Sequence, residues 1–121
     1  MAHQQFTKRV LVVDDEESIL SLLDEVLTEE GYQVEGIADG LDALEKVKDN
    51  SFDVMLFDHR LPQMNGIELL RTVKRINPDI SVIIMTGEVN LHSVIESIRN
   101  GACDFIIKPF DLDEAIAAVN R

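Results

Sequence analysis

Five side chains with chemical potential stand directly after short apolar runs: Asp14 with Asp15 after Val10–Val13, Asp58 after Val54–Phe57, Thr86 after Val82–Met85, and Lys108 after Phe105–Ile107. If those runs are strands of one sheet, carboxylates, a hydroxyl and an ammonium gather along a single edge. Clustered carboxylates repel one another, and a hard divalent cation relieves the repulsion while keeping positions open for phosphate oxygens. A carboxylate can also attack a phosphoryl group and become an aspartyl phosphate. Charge on the transferred group would then be stabilised by the cation, the ammonium and the hydroxyl. No histidine base is needed, because an ionised carboxylate is already nucleophilic. Chemistry alone does not choose the nucleophile. Asp58, apart from the Asp14–Asp15 pair and central among the runs, is the better candidate.

Each residue has a blander reading when taken singly. Asp14 or Asp15 could cap the helix that follows, with Glu16 and Glu17 suiting its dipole. Asp58 could form a turn ahead of Leu61-Pro62, and Thr86-Gly87 and Lys108-Pro109 could be surface turns. The bland readings weaken jointly, because strand ends share one crevice.

The elements that must position these residues are legible as alternation. Apolar runs lie at Arg9–Val13, Val34–Ile37, Val54–Phe57, Val82–Met85 and Phe105–Ile107. Four of them are continuously apolar, as strands covered on both faces should be. The second, interrupted by Glu35 and Gly36, suits an edge strand. Between them lie helical stripes: Ile19, Leu20, Leu23, Val26 and Leu27; Ala43, Leu44 and Val47; Ile67, Leu70, Val73 and Ile76; Leu91, Val94, Ile95 and Ile98; and Ala115, Ile116 and Val119. Gly31, Asn77-Pro78-Asp79 and Asn100-Gly101 punctuate the helix ends. Five strands alternating with five helices predict an α/β domain, doubly wound, with a mainly parallel sheet between two helical layers. Ligands of such sheets bind beyond the carboxyl ends of the strands.

Composition narrows the function classes. The chain has 121 residues, enough for one core; a polar tail over 1–7 precedes a domain over 8–121. No segment approaches the roughly 20 apolar residues needed to span a bilayer, and the start lacks a secretory h-region. A cytoplasmic location is expected. Cys103 is the only cysteine, which excludes an internal disulfide and a cysteine metal cluster, and it is expected to be a small buried filler. His3, His59 and His92 lack ligand spacing, and His59 is expected to project away from the acidic crevice, since neighbours alternate sides at a strand end. The net charge of −12 makes the domain a poor nucleic-acid binder.

The chain resembles the receiver domain of two-component response regulators, similar in architecture to the single-domain chemotaxis regulators. The resemblance runs from about Lys8 to the end. It rests on Val10-Leu11-Val12-Val13-Asp14-Asp15-Glu16, Phe57-Asp58 with Leu61-Pro62-Gln63-Met64-Asn65-Gly66, Met85-Thr86-Gly87, and Gly101-Ala102 followed by Phe105 and Lys108-Pro109-Phe110. It implies a flavodoxin-like (βα)5 sandwich with strand order 2-1-3-4-5, and phosphorylation at Asp58. It also implies Mg²⁺ or Mn²⁺ bound by Asp15, Asp58 and the backbone carbonyl of Arg60, with Asp14 acting through water. Thr86 would bond the phosphoryl oxygen, Phe105 would turn inward as Thr86 moves, and Lys108 would pair with the phosphate through a usually cis bond to Pro109. Phe105 stands where many relatives carry tyrosine, which excludes a switch through a phenolic hydrogen bond. Arg60 and Glu88 would flank the site and slow water attack on the acyl phosphate.

The implied partners are a sensor histidine kinase or histidine phosphotransfer domain, and an effector domain or protein. The effector would be reached through the fourth helix, fifth strand and fifth helix. Phosphorylation-dependent pairing of two copies is compatible with this, whereas direct nucleic-acid or membrane binding is not expected. Self-phosphorylation and autodephosphorylation would be the domain's only chemistry. The short fifth helix suggests a receiver cut from a longer regulator or hybrid kinase, the other account being a free-standing regulator. An aspartyl-phosphate phosphatase would want a general acid two positions after Asp58, where Arg60 stands. A nucleotide or flavin module would want a phosphate loop where Asp14-Asp15-Glu16-Glu17 lies. A pseudo-receiver that only binds protein is the nearest alternative.

Overall fold

The computed structural model describes residues 7–62, 64–87 and 90–121. In chain order the elements are β1 (Arg9–Val13), α1 (Glu17–Glu29), β2 (Gln33–Ile37), α2 (Gly40–Asp49), β3 (Val54–Asp58), β4 (Arg60–Leu61), β5 (Met64–Asn65), α3 (Gly66–Ile76), β6 (Ser81–Thr86), α4 (Leu91–Arg99), β7 (Asp104–Ile107) and α5 (Leu112–Asn120). Five strands pair in parallel in the order β2-β1-β3-β6-β7, the expected 2-1-3-4-5 of a doubly wound sheet. The antiparallel pair β4–β5 is not among the strands expected from the sequence, since its two-residue strands carry no periodicity to detect.

Strand side chains alternate between two buried cores. Leu11, Val13, Met55, Phe57, Val82 and Ile84 face one side, where α2 and α3 contribute Val47, Leu70 and Val73. Val10, Val12, Val54, Leu56, Ile83 and Met85 face the other, with Leu23 and Leu27 of α1 and Ala115 and Val119 of α5. Continuous apolar runs follow from this double coverage. β2, paired on one side only, is half-open to solvent, as its charge and glycine suggested.

Helix ends follow the punctuation. Gly31 and Gly101 take φ of 100° and 104°, the left-handed region that glycine enters without Cβ penalty. Asp39, Asn65 and Asn90 cap α2, α3 and α4 by accepting backbone N–H bonds from Leu41, Ile67 and His92.

The α4 stripe forms its helix but stays outside the buried clusters: Leu91, Ile95 and Ile98 are 74%, 40% and 61% exposed, and the one fully buried residue of the helix is Ser97. Periodicity marks an apolar face without saying whether the domain's own core covers it. Cys103 is exposed and not a buried filler. It sits one residue before β7, at the amino-terminal edge of the sheet, with its N–H bonded to the carbonyl of Val82.

Gly66 allows the closest backbone approach near the site. A Cβ there would lie 2.8 Å from the carbonyl oxygen of His59 and 2.9 Å from its Cα, while the Gly66 N–H donates to that carbonyl at 3.0 Å. Gly66→Ala is therefore expected to destabilise the domain by about 1–3 kcal/mol, because rigid backbone must give way. It should also disturb the loop next to Asp58. Urea unfolding compared with the native chain measures the first effect, and equal midpoints would exclude the steric role.

Candidate functional site

The parallel ladder continues one residue past the strands and aligns the site. Asp14 N–H donates to Ile37 O at 3.0 Å, His59 N–H to Met85 O at 2.8 Å, and Lys108 N–H to Thr86 O at 2.6 Å. Extending the two-residue alternation from Val12, Leu56 and Ile106 places Asp14, Asp58 and Lys108 on the α1–α5 side of the sheet. Thr86 follows the parity of Ile84 and falls on the opposite side with Phe105, which packs half-buried against the other core. Parity thus separates a charged group from a hydroxyl and aromatic pair on neighbouring strands.

The charged group is tightly made. Lys108 Nζ donates to Asp14 Oδ2 at 2.6 Å and to Asp58 Oδ2 at 2.7 Å, with Glu16 Oε1 at 3.7 Å. Asp14 Oδ1 accepts the N–H of Glu16 at 2.9 Å, and Asp58 Oδ1 accepts the N–H of Arg60 at 3.0 Å. Asp14 is fully buried, and Asp58 and Thr86 nearly so. Asp15, Glu16, Asp58, Arg60, Thr86, Gly87 and Lys108 line one cleft of about 300 Å³. The Lys108–Pro109 bond is cis. His59 borders a different depression, with Leu61, Pro62 and Glu68.

Burial raises the Asp14 carboxyl above its ordinary range, a rise that the hydrogen bond from Lys108 opposes without cancelling. Burial alone would lower the Lys108 ammonium, but its bonds to Asp14 and Asp58 outweigh this and its pKa is raised. The sign for stability follows. Asp14, with its folded pKa above the unfolded value near 3.8, favours the folded state at low pH and loses that contribution as pH rises through the folded value. Asp14→Asn is accordingly expected to stabilise the metal-free protein at neutral pH by roughly 0.5–2 kcal/mol, the usual scale for relieving a functional carboxylate. The gain should shrink as pH falls through the raised Asp14 value and vanish below the unfolded value near 3.8, where the carboxyl is protonated in both states. Melting curves across pH measure it, and a destabilised Asp14→Asn at neutral pH would contradict the assignment.

The residues fit a hard cation. One carboxylate oxygen each from Asp14, Glu16 and Asp58 lie within 4.8 Å of one another, an all-oxygen donor set suited to a divalent ion. Sequence alone does not single out Glu16, which reads naturally as the acidic start of α1. Asp15 is exposed and borders the cleft outside that trio. Glu88 and Gln63 lie outside the described residues, as do His3 and the rest of Met1–Phe6.

The model of the response regulator receiver domain matches residues 10–120. The chain belongs to that family. Among relatives of this receiver, sporulation initiation phosphotransferase F of Bacillus subtilis is 43% identical over 114 residues, covering 94% of this chain and 92% of that protein. Transcriptional regulatory protein ZraR of Klebsiella oxytoca is 43% identical over 105 residues, but this receiver spans only 24% of its length. The CheY-like receiver domain protein of Methanospirillum hungatei JF-1 superposes with a TM-score of 0.91 at 34% identity, covering 95% of this chain and 92% of that one. The beryllofluoride-activated NtrC4 receiver domain dimer gives 0.90 at 36% identity, with 94% of each chain covered. The receiver is thus a two-component signalling module.

Proposed function

We propose that the receiver, taken over residues 8–121, accepts a phosphoryl group on Asp58 from a sensor histidine kinase or a histidine phosphotransfer domain. The observation that carries this is the Lys108 ammonium bonded at once to Asp14 and Asp58 at the carboxyl edge of the sheet. An Asp58 oxygen attacks phosphorus while the bond from phosphorus to the donor imidazole breaks, and the imidazole leaves with that electron pair. Lys108 is placed to exchange a carboxylate oxygen for a phosphoryl oxygen, and Thr86 lies across the cleft to donate to another. Asp14, Asp15, Asp58 and the Arg60 carbonyl would hold Mg²⁺ or Mn²⁺, which when bound neutralises the carboxylates and the phosphoryl oxygens. Arg60, which lines the cleft, and Glu88 slow water attack on the acyl phosphate.

Output passes through α4, β7 and α5. Leu91, Ile95 and Ile98, with Ile107 at 46% exposure, leave an apolar surface there, and Phe105 and Thr86 sit on adjacent strands behind it. Phosphorylation shifts the population of packings through contacts to Thr86 and Lys108. The partner on that face is an effector domain or protein, or a second copy of the phosphorylated chain. Both fit the ZraR and NtrC4 likenesses. Among the described residues no helix is long and apolar enough to cross a membrane. The reading carries a cytoplasmic location with it and leaves nucleic-acid contact to other parts of a regulator.

The test is intact mass after incubation with acetyl phosphate and Mg²⁺, with a chelated control. A single hydroxylamine-labile phosphoryl adduct that needs the metal is expected. Absence of an adduct on folded protein would refute the phosphoacceptor role.

A further inference from the structure

Glu16 occupies the N-cap of α1, yet its side chain makes no capping bond. Ser, Thr, Asp or Asn there would satisfy a free N–H of the first turn and stabilise the helix by about 1 kcal/mol. A residue that defies local preference beside a site invites a functional reason. The Glu16 backbone is held independently: its N–H bonds Asp14 Oδ1, and its carbonyl accepts from Ile19 at 3.1 Å and Leu20 at 3.2 Å. Its carboxylate turns into the cleft, 3.7 Å from Lys108 Nζ, and clusters with Asp14 and Asp58. Unlike those two it faces water, with a side chain 59% exposed against 0% and 12%. Glu16 is therefore the outermost anion of the trio that a phosphoryl group bound for Asp58 must approach.

Resting on the reading of Asp58 as phosphoacceptor, we propose that Glu16 is a specificity-determining residue that discriminates among phosphodonors by charge. It disfavours small dianionic acyl phosphates and spares phosphohistidine on a partner protein that brings cationic side chains to the cleft mouth. The physical ground is Coulombic. A fixed negative charge a few ångströms from the path acts on each unit of donor charge, so a dianion feels about twice what a monoanion feels, and salt weakens the effect.

The experiment compares the native chain with Glu16→Gln using acetyl phosphate and phosphoramidate, which carries one net negative charge, each at a Mg²⁺ concentration saturating for that variant. In both reactions Asp58 gains a bond to phosphorus. Acetate leaves with the electron pair of the P–O bond, or ammonia leaves with that of the P–N bond and takes a proton from water. Glu16→Gln is expected to speed acetyl phosphate about three- to tenfold and phosphoramidate distinctly less. Added KCl should erode the native chain's discrimination and leave that of the variant nearly unchanged. Equal changes for both donors, or slowing of both, would assign Glu16 to holding metal or Lys108 and overturn the proposal while the phosphoacceptor reading stands. An absence of adduct in the native chain with either donor would overturn both.

Discussion

Asp58→Asn is expected to take up no phosphoryl group from acetyl phosphate while remaining folded. The structure supports both halves of that expectation. Asp58 Oδ1 accepts the Arg60 N–H at 3.0 Å, and an asparagine oxygen can keep this bond, so the loop beyond β3 stays anchored. Oδ2 is the oxygen that Lys108 holds, and an amide group in its place offers a donor to the Lys108 ammonium and no nucleophilic oxygen. Lys108 would remain on Asp14 at 2.6 Å. Intact mass beside a melting curve makes the check. An adduct persisting on Asp58→Asn at the native level would move the nucleophile elsewhere, with Asp14 and Glu16 the carboxylates in reach.

Lys108→Ala is expected to slow phosphoryl transfer by about 10²–10³-fold, the range for losing one preorganised charge donor. It should also lower metal-free stability by about 3 kcal/mol, because two poorly hydrated carboxylates lose their shared cation. Asp14 and Asp58 have side chains only 0% and 12% exposed, so water cannot replace the ammonium fully. Mg²⁺ should restore more stability to Lys108→Ala than to the native chain, since the ion then binds without displacing an internal cation. Paired urea titrations with and without Mg²⁺ read this directly. A native transfer rate in Lys108→Ala, or equal stabilisation of both proteins by the metal, would leave Lys108 as a structural tether.

The two substitutions, read beside Asp14→Asn, separate the roles inside the cluster. Removing the buried Asp14 charge should relieve the metal-free protein, whereas removing the Lys108 charge should burden it. Opposite signs at contacting residues would show that the edge of the sheet is held in electrostatic tension that a cation resolves.

Much of this protein is written locally in its chain. Double burial forces the strands to be apolar at consecutive positions, so Val10–Val13, Val54–Phe57 and Val82–Met85 could be recognised and the residue after each identified. Glycine and asparagine marked the helix ends for a backbone reason, as Gly31 and Gly101 show. With parallel connections those rules lead to one edge carrying Asp14, Asp58, Thr86 and Lys108.

What the chain did not decide by itself depends on distances between elements remote in sequence. That Glu16 joins the acidic trio while Asp15 only borders the cleft depends on how α1 departs from β1. The exposure of Leu91, Ile95 and Ile98 depends on how α4 lies against the sheet, because an apolar stripe has the same period whether or not anything covers it. Cys103 reads as core from its neighbours but is exposed, at the rim of a depression it shares with Asp53, Ser81 and the end of α5. Sequence determined which residues stand at the edge of the sheet. Only tertiary packing decided which of them touch, since side-chain contact between residues 94 positions apart, as for Lys108 and Asp14, is a property of the folded chain.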